Sequence, residues 1–136
     1  MSVLLAALLN LPTLPAVTVH VISHADQRYA TSGDWVWKDG GLVVTVSDLG
    51  DERFNALVAA HEVTEALLCH RDGVTEAQVD EWDLAYEGDE PGDDPSAPYH
   101  RQHMEASRVE RLLAELLGVD WQEYEESFGQ LEETHD

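Results

Sequence analysis

The chain has 136 residues, of which 43% are hydrophobic, so it can build one hydrophobic core but not two, and we expect a single domain over residues 1–136. Its 28 acidic residues outnumber 7 basic ones, and the resulting formal charge of -21 repels nucleic acid phosphates and anionic membrane surfaces. We therefore expect no direct binding to nucleic acid or membrane.

The first segment, residues 3–9, is apolar but short, and the first basic residue of the chain is Arg28. This pattern has neither the positive leader of a signal peptide nor the length of a membrane span, so it predicts an element packed on the domain. The single Cys69 cannot form an internal disulfide and lies in an apolar stretch, which favours a reducing, cytoplasmic location.

The next segments have the pattern of strands. Residues 16–22 carry β-branched side chains in near alternation. Residues 35–37 and 42–46 are apolar and flank the turn signal Asp39-Gly40, which predicts a hairpin. We expect a small antiparallel sheet of two or three strands.

From Asp51 onward the pattern is helical, and three helices are predicted. The central helix runs to about Cys69, ends by Gly73 and is apolar on all sides, which is typical of a buried helix. A second helix opens at Thr75 with a capping-box pattern and reaches about residue 86. The third spans about residues 99–117.

The segments between and after these predicted helices are acidic. Residues 87–98 are rich in acid, Gly and Pro, which predicts a solvated, mobile loop, and residues 120–136 form an acidic tail. Strands followed by helices predict an α+β fold.

The central helix carries the most conspicuous chemistry in the chain. His61 and Glu65 are four residues apart and therefore lie one turn apart on one face, with Glu62 at its edge. Buried carboxylates are costly without compensation, and a divalent metal ion provides it. Residues at this spacing can point into one coordination sphere, while Glu62 leans towards the open position.

This helix resembles that of the zincin metallopeptidases, whose motif is His-Glu-x-x-His flanked by apolar residues. His61 and Glu62 match the motif, and Glu65 stands where that superfamily has its second histidine. The resemblance, which includes the preceding strands, implies a zincin-like fold and a zinc-dependent hydrolase of peptides or proteins with Glu62 as general base. A carboxylate at position 65 also suits manganese, iron or magnesium.

A third metal ligand must come from another element, and the third helix offers His100 and His103. We favour His103, because it flanks the apolar stripe of that helix together with Ser107 and Glu110. In zincins a later helix often supplies this ligand, so the resemblance implies the same role for His103. Glu110 is a candidate for a fourth ligand or for a partner that orients a histidine.

Two other functions compete with the hydrolase. The chain is similar to small phage or prophage proteins with a His-Glu-rich helix, and its acidity also suits a DNA mimic or an inhibitor-type binding protein with a structural metal site. Glu62-x-x-Glu65 also matches half of the motif of the MazG nucleotide pyrophosphohydrolases, although the predicted strands disagree with that all-helical family. The structural alternative is that both glutamates face solvent and His61 is hydrogen-bonded in the core.

Overall fold

The computed structural model of the protein describes residues 16–131. These residues form three strands and four helices, which confirms the predicted α+β class. The first three helices are the predicted ones, and the fourth lies in the predicted acidic tail. The predicted apolar element at residues 3–9 and the end of that tail, from residue 132, lie outside the described residues. The bounds are Val17–Ile22 (β1), Gly33–Lys38 (β2), Gly41–Ser47 (β3), Glu52–Asp72 (α1), Glu76–Ala85 (α2), His100–Leu116 (α3) and Trp121–Ser127 (α4).

The sheet is mixed, with the strand order β1-β3-β2. β2 and β3 form the predicted antiparallel hairpin, in which Trp35 pairs with Val44. β1 pairs with β3 in parallel, with Val19 opposite Val44, so the prediction of an antiparallel sheet is wrong for β1. An alternating pattern identifies a strand and its faces, but it does not say which strand lies beside it.

The connection between β1 and β2, residues 23–32, explains the parallel pairing. Buried polar side chains hold it to β3: His24 Nδ1 lies 2.8 Å from the Ser47 hydroxyl, and the Thr45 hydroxyl donates to Gln27 Oε1 at 2.9 Å. These two β3 side chains alternate with core-facing valines and so lie on the opposite face of the sheet. The connection therefore crosses β3 on that face and enters β2 beyond it.

α1 lies between the sheet and α3. Asp51 caps its first turn by accepting a hydrogen bond from the Arg53 amide at 2.8 Å, and Gly73 follows its last residue. The prediction that α1 is buried on all sides is wrong, because Ala56 and Leu67 are exposed. The sheet and α3 cover only two sides of the helix, and the small or flexible side chains of the remaining side face solvent.

The other connections also matter for the site. α2 begins with the predicted capping box, formed by Thr75 and Gln78. The acidic connection between α2 and α3 contains the 3₁₀ turn Pro91–Asp93, and Trp82 Nε1 donates to the Pro91 carbonyl at 2.9 Å. The segment predicted as a mobile loop is thus anchored to α2. Within residues 16–131, no helix is both long and apolar enough to cross a membrane.

Leu57 of α1 has no exposed surface and belongs to the core between α1 and the sheet. We expect Leu57→Ala to lower the free energy of unfolding by about 2–5 kcal/mol, because it removes buried methyl groups and leaves a cavity. Leu116→Ala is the matched control, since that leucine is 73% exposed on α3, and its expected effect is within about 0.5 kcal/mol. Urea denaturation measures both, and similar losses in the two variants would contradict this core.

Candidate metal centre

Two predicted site residues lie one turn apart on α1, and both are buried. His61 is 8% exposed and Glu65 is 5% exposed. Residues four apart on a helix share a side, and this side of α1 faces α3, which carries His103. The packing of α1 against α3 therefore brings His103 into contact with both side chains.

One atom from each of these three side chains points to a common centre. His61 Nε2 lies 3.2 Å from Glu65 Oε2 and 3.2 Å from His103 Nδ1. His103 Nδ1 lies 3.0 Å from Glu65 Oε2. In a tetrahedral zinc site with ligand distances of about 2.0–2.1 Å, neighbouring ligand atoms are about 3.3 Å apart. The three atoms thus have nearly the spacing of three corners of such a site.

A carboxylate fixes each histidine through its other ring nitrogen. His61 Nδ1 lies 2.8 Å from Glu110 Oε1, and His103 Nε2 lies 2.9 Å from Asp93 Oδ1. Because an ionised carboxylate only accepts hydrogen bonds, these outer nitrogens carry protons. In the neutral tautomers, the inner nitrogens then present lone pairs to the centre. Carboxylates in this position orient the histidines of known metal sites.

Glu65 is fixed in a corresponding way by β2. Trp35 Nε1 donates to Glu65 Oε1 at 3.0 Å, which leaves Glu65 Oε2 directed at the centre. When both histidines are neutral, two imidazole lone pairs and a carboxylate oxygen meet, and such groups repel one another unless a positive charge lies among them. A proton can bridge two of the atoms, whereas one metal ion satisfies all three.

The pKa shifts at the centre follow from these contacts. Burial would lower the pKa of His61, but its hydrogen bonds with Glu110 and Glu65 outweigh burial and hold that pKa well above its usual value. Burial would raise the pKa of Glu65, but hydrogen bonds from His103 and His61 hold it well below its usual value. Glu65 is thus ionised and supplies negative charge at the centre.

Glu62 lies beside the centre and lacks a hydrogen-bond partner among residues 16–131. Its side chain passes over Gly33 of β2, where an added Cβ would lie 2.7 Å from Glu62 Cγ, so a side chain at position 33 would displace it. Burial and the nearby Glu65 carboxylate raise the pKa of Glu62 well above its usual value. A partly enclosed carboxyl group with free oxygens has the properties of a general base.

The centre opens into a cleft with a volume of ≈ 990 Å³. β2, α2, the connection between α2 and α3, and the C-terminal α4 all contribute to its lining. On the α2 side, Asp83 accepts hydrogen bonds from the hydroxyl groups of Tyr29 and Tyr99. These bonds join the β1–β2 connection, α2 and the start of α3 into one wall.

The structure brings together the three predicted metal ligands and places the other candidates around them. His100 Nδ1 lies 2.9 Å from the Gly92 carbonyl oxygen, so this ring bonds to the loop and takes no part in the three-atom cluster. Glu110 bonds to His61 through one oxygen and accepts from the Tyr124 hydroxyl at 2.6 Å through the other. Glu110 was predicted either as a fourth ligand or as a partner that orients a histidine, and its bond to His61 matches the second role.

Sequence reasoning missed three residues that support the centre. Asp93 lies in the segment predicted as a solvated loop, Trp35 lies in a segment predicted only as an apolar strand, and Tyr124 lies in the predicted acidic tail. None of them has a local motif. An apolar pattern around Trp121 and Tyr124 indicates that the tail packs, but not that it reaches Glu110.

No family model, no curated protein and no solved structure matches the chain. The zincin resemblance consequently depends on the helix motif and on the geometry just described.

If the three atoms hold a metal, wild-type protein supplied with zinc or manganese will retain one ion per chain after dialysis. We expect His61→Ala, Glu65→Ala and His103→Ala each to lose it, because each removes one of three ligands. His20→Ala is the control, since His20 is exposed on β1. Elemental analysis by mass spectrometry measures the stoichiometry, and metal-free wild type would contradict the site.

Gly92 gives a sharper test of geometry. An added Cβ there would lie 2.5 Å from His103 Cγ and from His103 Nδ1, so Gly92→Ala must move the turn or the ring. We expect the metal affinity to fall about 10- to 100-fold, as it does when supporting residues of metal sites change. Competition with a chromophoric zinc chelator measures this.

Gly129→Ala is the matched control for Gly92→Ala, since nothing lies within 4 Å of a Cβ built there. Circular dichroism checks that both variants keep their helices. Equal metal affinities of the two variants would show that the position of the His103 ring does not require a glycine at position 92.

Proposed function

We propose that the protein is a metal-dependent hydrolase in which His61, Glu65 and His103 hold a divalent ion and Glu62 is the general base. The convergence of two imidazole nitrogens and one carboxylate oxygen, with Glu62 unpartnered beside them, is the observation that carries this proposal. A purely structural histidine cluster would need neither the shared centre nor the free carboxyl group.

Zinc is the ion that fits this ligand set best. Two histidines and one glutamate form a set used by catalytic zinc, in which the fourth position stays open. Manganese and iron accept the same mixture of nitrogen and oxygen ligands, whereas magnesium prefers oxygen. We therefore rank zinc first, manganese and iron next, and magnesium last.

The chain's own residues have separate tasks in this scheme. A bound zinc ion would supply Lewis-acid activation of water and of a substrate carbonyl group. Glu62 accepts the proton released by the attacking water and can return it to the leaving group. Glu110 and Asp93 keep the lone pairs of the two histidines directed inward, and Trp35 does so for Glu65.

We propose a peptide or protein as the substrate. The cleft has a volume of ≈ 990 Å³, which is large enough for several residues of a peptide beside the centre. The zincin resemblance supports the same substrate class, and Glu65 in place of the second histidine is its main departure. Buried, free Cys69 supports our further proposal that the protein works in a reducing, cytoplasmic compartment.

A binding protein that mimics DNA is the second candidate function. The formal charge of -21 favours it, since such a surface can occupy a basic groove on a partner. The pyrophosphohydrolase alternative has less support, because the chain contains a sheet and because the Glu65 carboxylate bonds to two histidines rather than to a second acidic pair.

Glu62→Gln tests the hydrolase directly. We expect this variant to keep stoichiometric zinc and to lose hydrolysis of casein or of a fluorogenic peptide library by about 10²- to 10⁴-fold, because the amide cannot accept the proton. Glu52→Gln, an exposed change on the same helix, is the control. Full activity of Glu62→Gln would rule out its role as base, and loss of zinc would make Glu62 a ligand instead.

A further inference from the structure

The cleft around the centre is lined by charge of a single sign. Eleven of its described lining residues are Asp or Glu, and none is Lys or Arg. A cleft lined by one sign of charge focuses its field and raises the local concentration of ligands of the opposite sign. One divalent ion would neutralise only a small part of this charge.

Several of these carboxylates already have partners within the chain. Arg28 bonds to Asp34 at 2.7 Å and to Asp80 at 3.1 Å, so two lining carboxylates hold one guanidinium group. Asp83 accepts from two tyrosine hydroxyl groups. The Arg28 contacts show that this wall has the geometry to bind a cationic side chain.

Glu62 and Glu90 are different, because the carboxyl group of neither one has a hydrogen bond within residues 16–131. Glu62 lies deep in the cleft and is accounted for by its proposed role as base. Glu90 lies at the mouth, directly before the Pro91–Asp93 turn. Its carboxylate, that of Asp93 and a ring nitrogen of His103 lie within 4.8 Å of one another.

The surroundings of Glu90 contain more negative than positive charge. Glu90 is exposed at the mouth of the cleft, and the carboxylates of Asp93 and Glu110 lie near it. The neighbours of Glu90 that can carry positive charge are His103 and His61, and both already bond to other carboxylates. An accessible carboxylate that has no side-chain partner, at the mouth of a cleft lined by negative charge, is free to bind a cationic group that enters the cleft.

We propose that Glu90, with Asp93 beside it, binds a lysine or arginine side chain of the substrate close to the bond that is cleaved. The protein would then select cationic peptides. This specificity rests on the proposed hydrolase function, but cation binding at Glu90 can be measured without catalysis. Because the Asp93 carboxylate remains hydrogen-bonded to His103, the Glu90 carboxylate makes the main contact with the cationic side chain.

Binding is measured on zinc-loaded Glu62→Gln protein, which holds a peptide without cleaving it. The probes are two fluorescein-labelled, end-blocked pentapeptides that carry lysine or uncharged norleucine between alanines. We expect the lysine peptide to bind about tenfold more tightly by fluorescence anisotropy at physiological salt, because it adds one charge-assisted hydrogen bond. Adding Glu90→Gln should abolish the difference.

Glu87→Gln in the same background is the matched control. It removes the same charge from the same connection, but Glu87 is exposed and does not line the cleft. It should keep the preference for lysine. An equal loss in the Glu87 and Glu90 variants would assign the preference to the overall charge of the protein and overturn the inference, as would equal binding of the two peptides.

Two further outcomes separate this inference from the hydrolase. Lysine preference that depends on Glu90, with no cleavage by the zinc-loaded wild type, supports cation binding and overturns only the hydrolase. Cleavage without lysine preference overturns the inference and leaves the hydrolase standing. Two zinc ions per chain, with one lost in Glu90→Gln, would assign Glu90, Asp93 and His103 to a second metal site and also overturn it.

Discussion

The close approach of the His61, Glu65 and His103 side chains constrains how α1 and α3 pack and how these side chains are oriented. When both histidines are neutral, three lone pairs face one another within 3.2 Å and repel unless a proton or a metal ion lies among them, and a metal ion can satisfy all three at once. α1 and α3 must pack with these sides in contact. The outer atoms of all three side chains must also be held, because a freely rotating ring or carboxylate would turn its lone pair away.

The partners of those outer atoms come from three different parts of the chain, and a fourth part supports one of the partners. Trp35 extends from β2, Asp93 from the connection between α2 and α3, and Glu110 from α3 itself. Tyr124 of α4 is 1% exposed and donates to Glu110. An ion at the centre would therefore join the sheet, both long helices, the acidic connection and the C-terminal helix, and its binding free energy would contribute to folding.

The sequence was most informative where the chemistry is local. Helical periodicity places His61 and Glu65 on one face, because that pattern repeats within a few residues. The predicted core stripe of the third helix, beside which His103 was placed, is wrong for Val109, Leu112 and Leu116, which are exposed. The parallel pairing of β1 is not local, since it depends on where a connection crosses the sheet. Asp93 is likewise unpredictable, because its place depends on the bond between Trp82 and the Pro91 carbonyl.

The carboxylates of the cleft divide into those that have a side-chain partner and those that lack one. Glu65 and Glu110, which are largely buried, and the exposed Asp93 each orient a side chain or are oriented by one. Pairing of this kind offsets the cost of burying a carboxylate. Glu62 has no such partner, although a glutamine there would avoid the cost of a partly buried, unpaired charge. Glu90 is exposed at the mouth of the cleft and also lacks a side-chain partner. Stability alone gives no reason for a carboxylate at position 62, which fits the proposed acceptance of a proton, and an accessible Glu90 carboxylate fits the proposed contact with a cationic side chain.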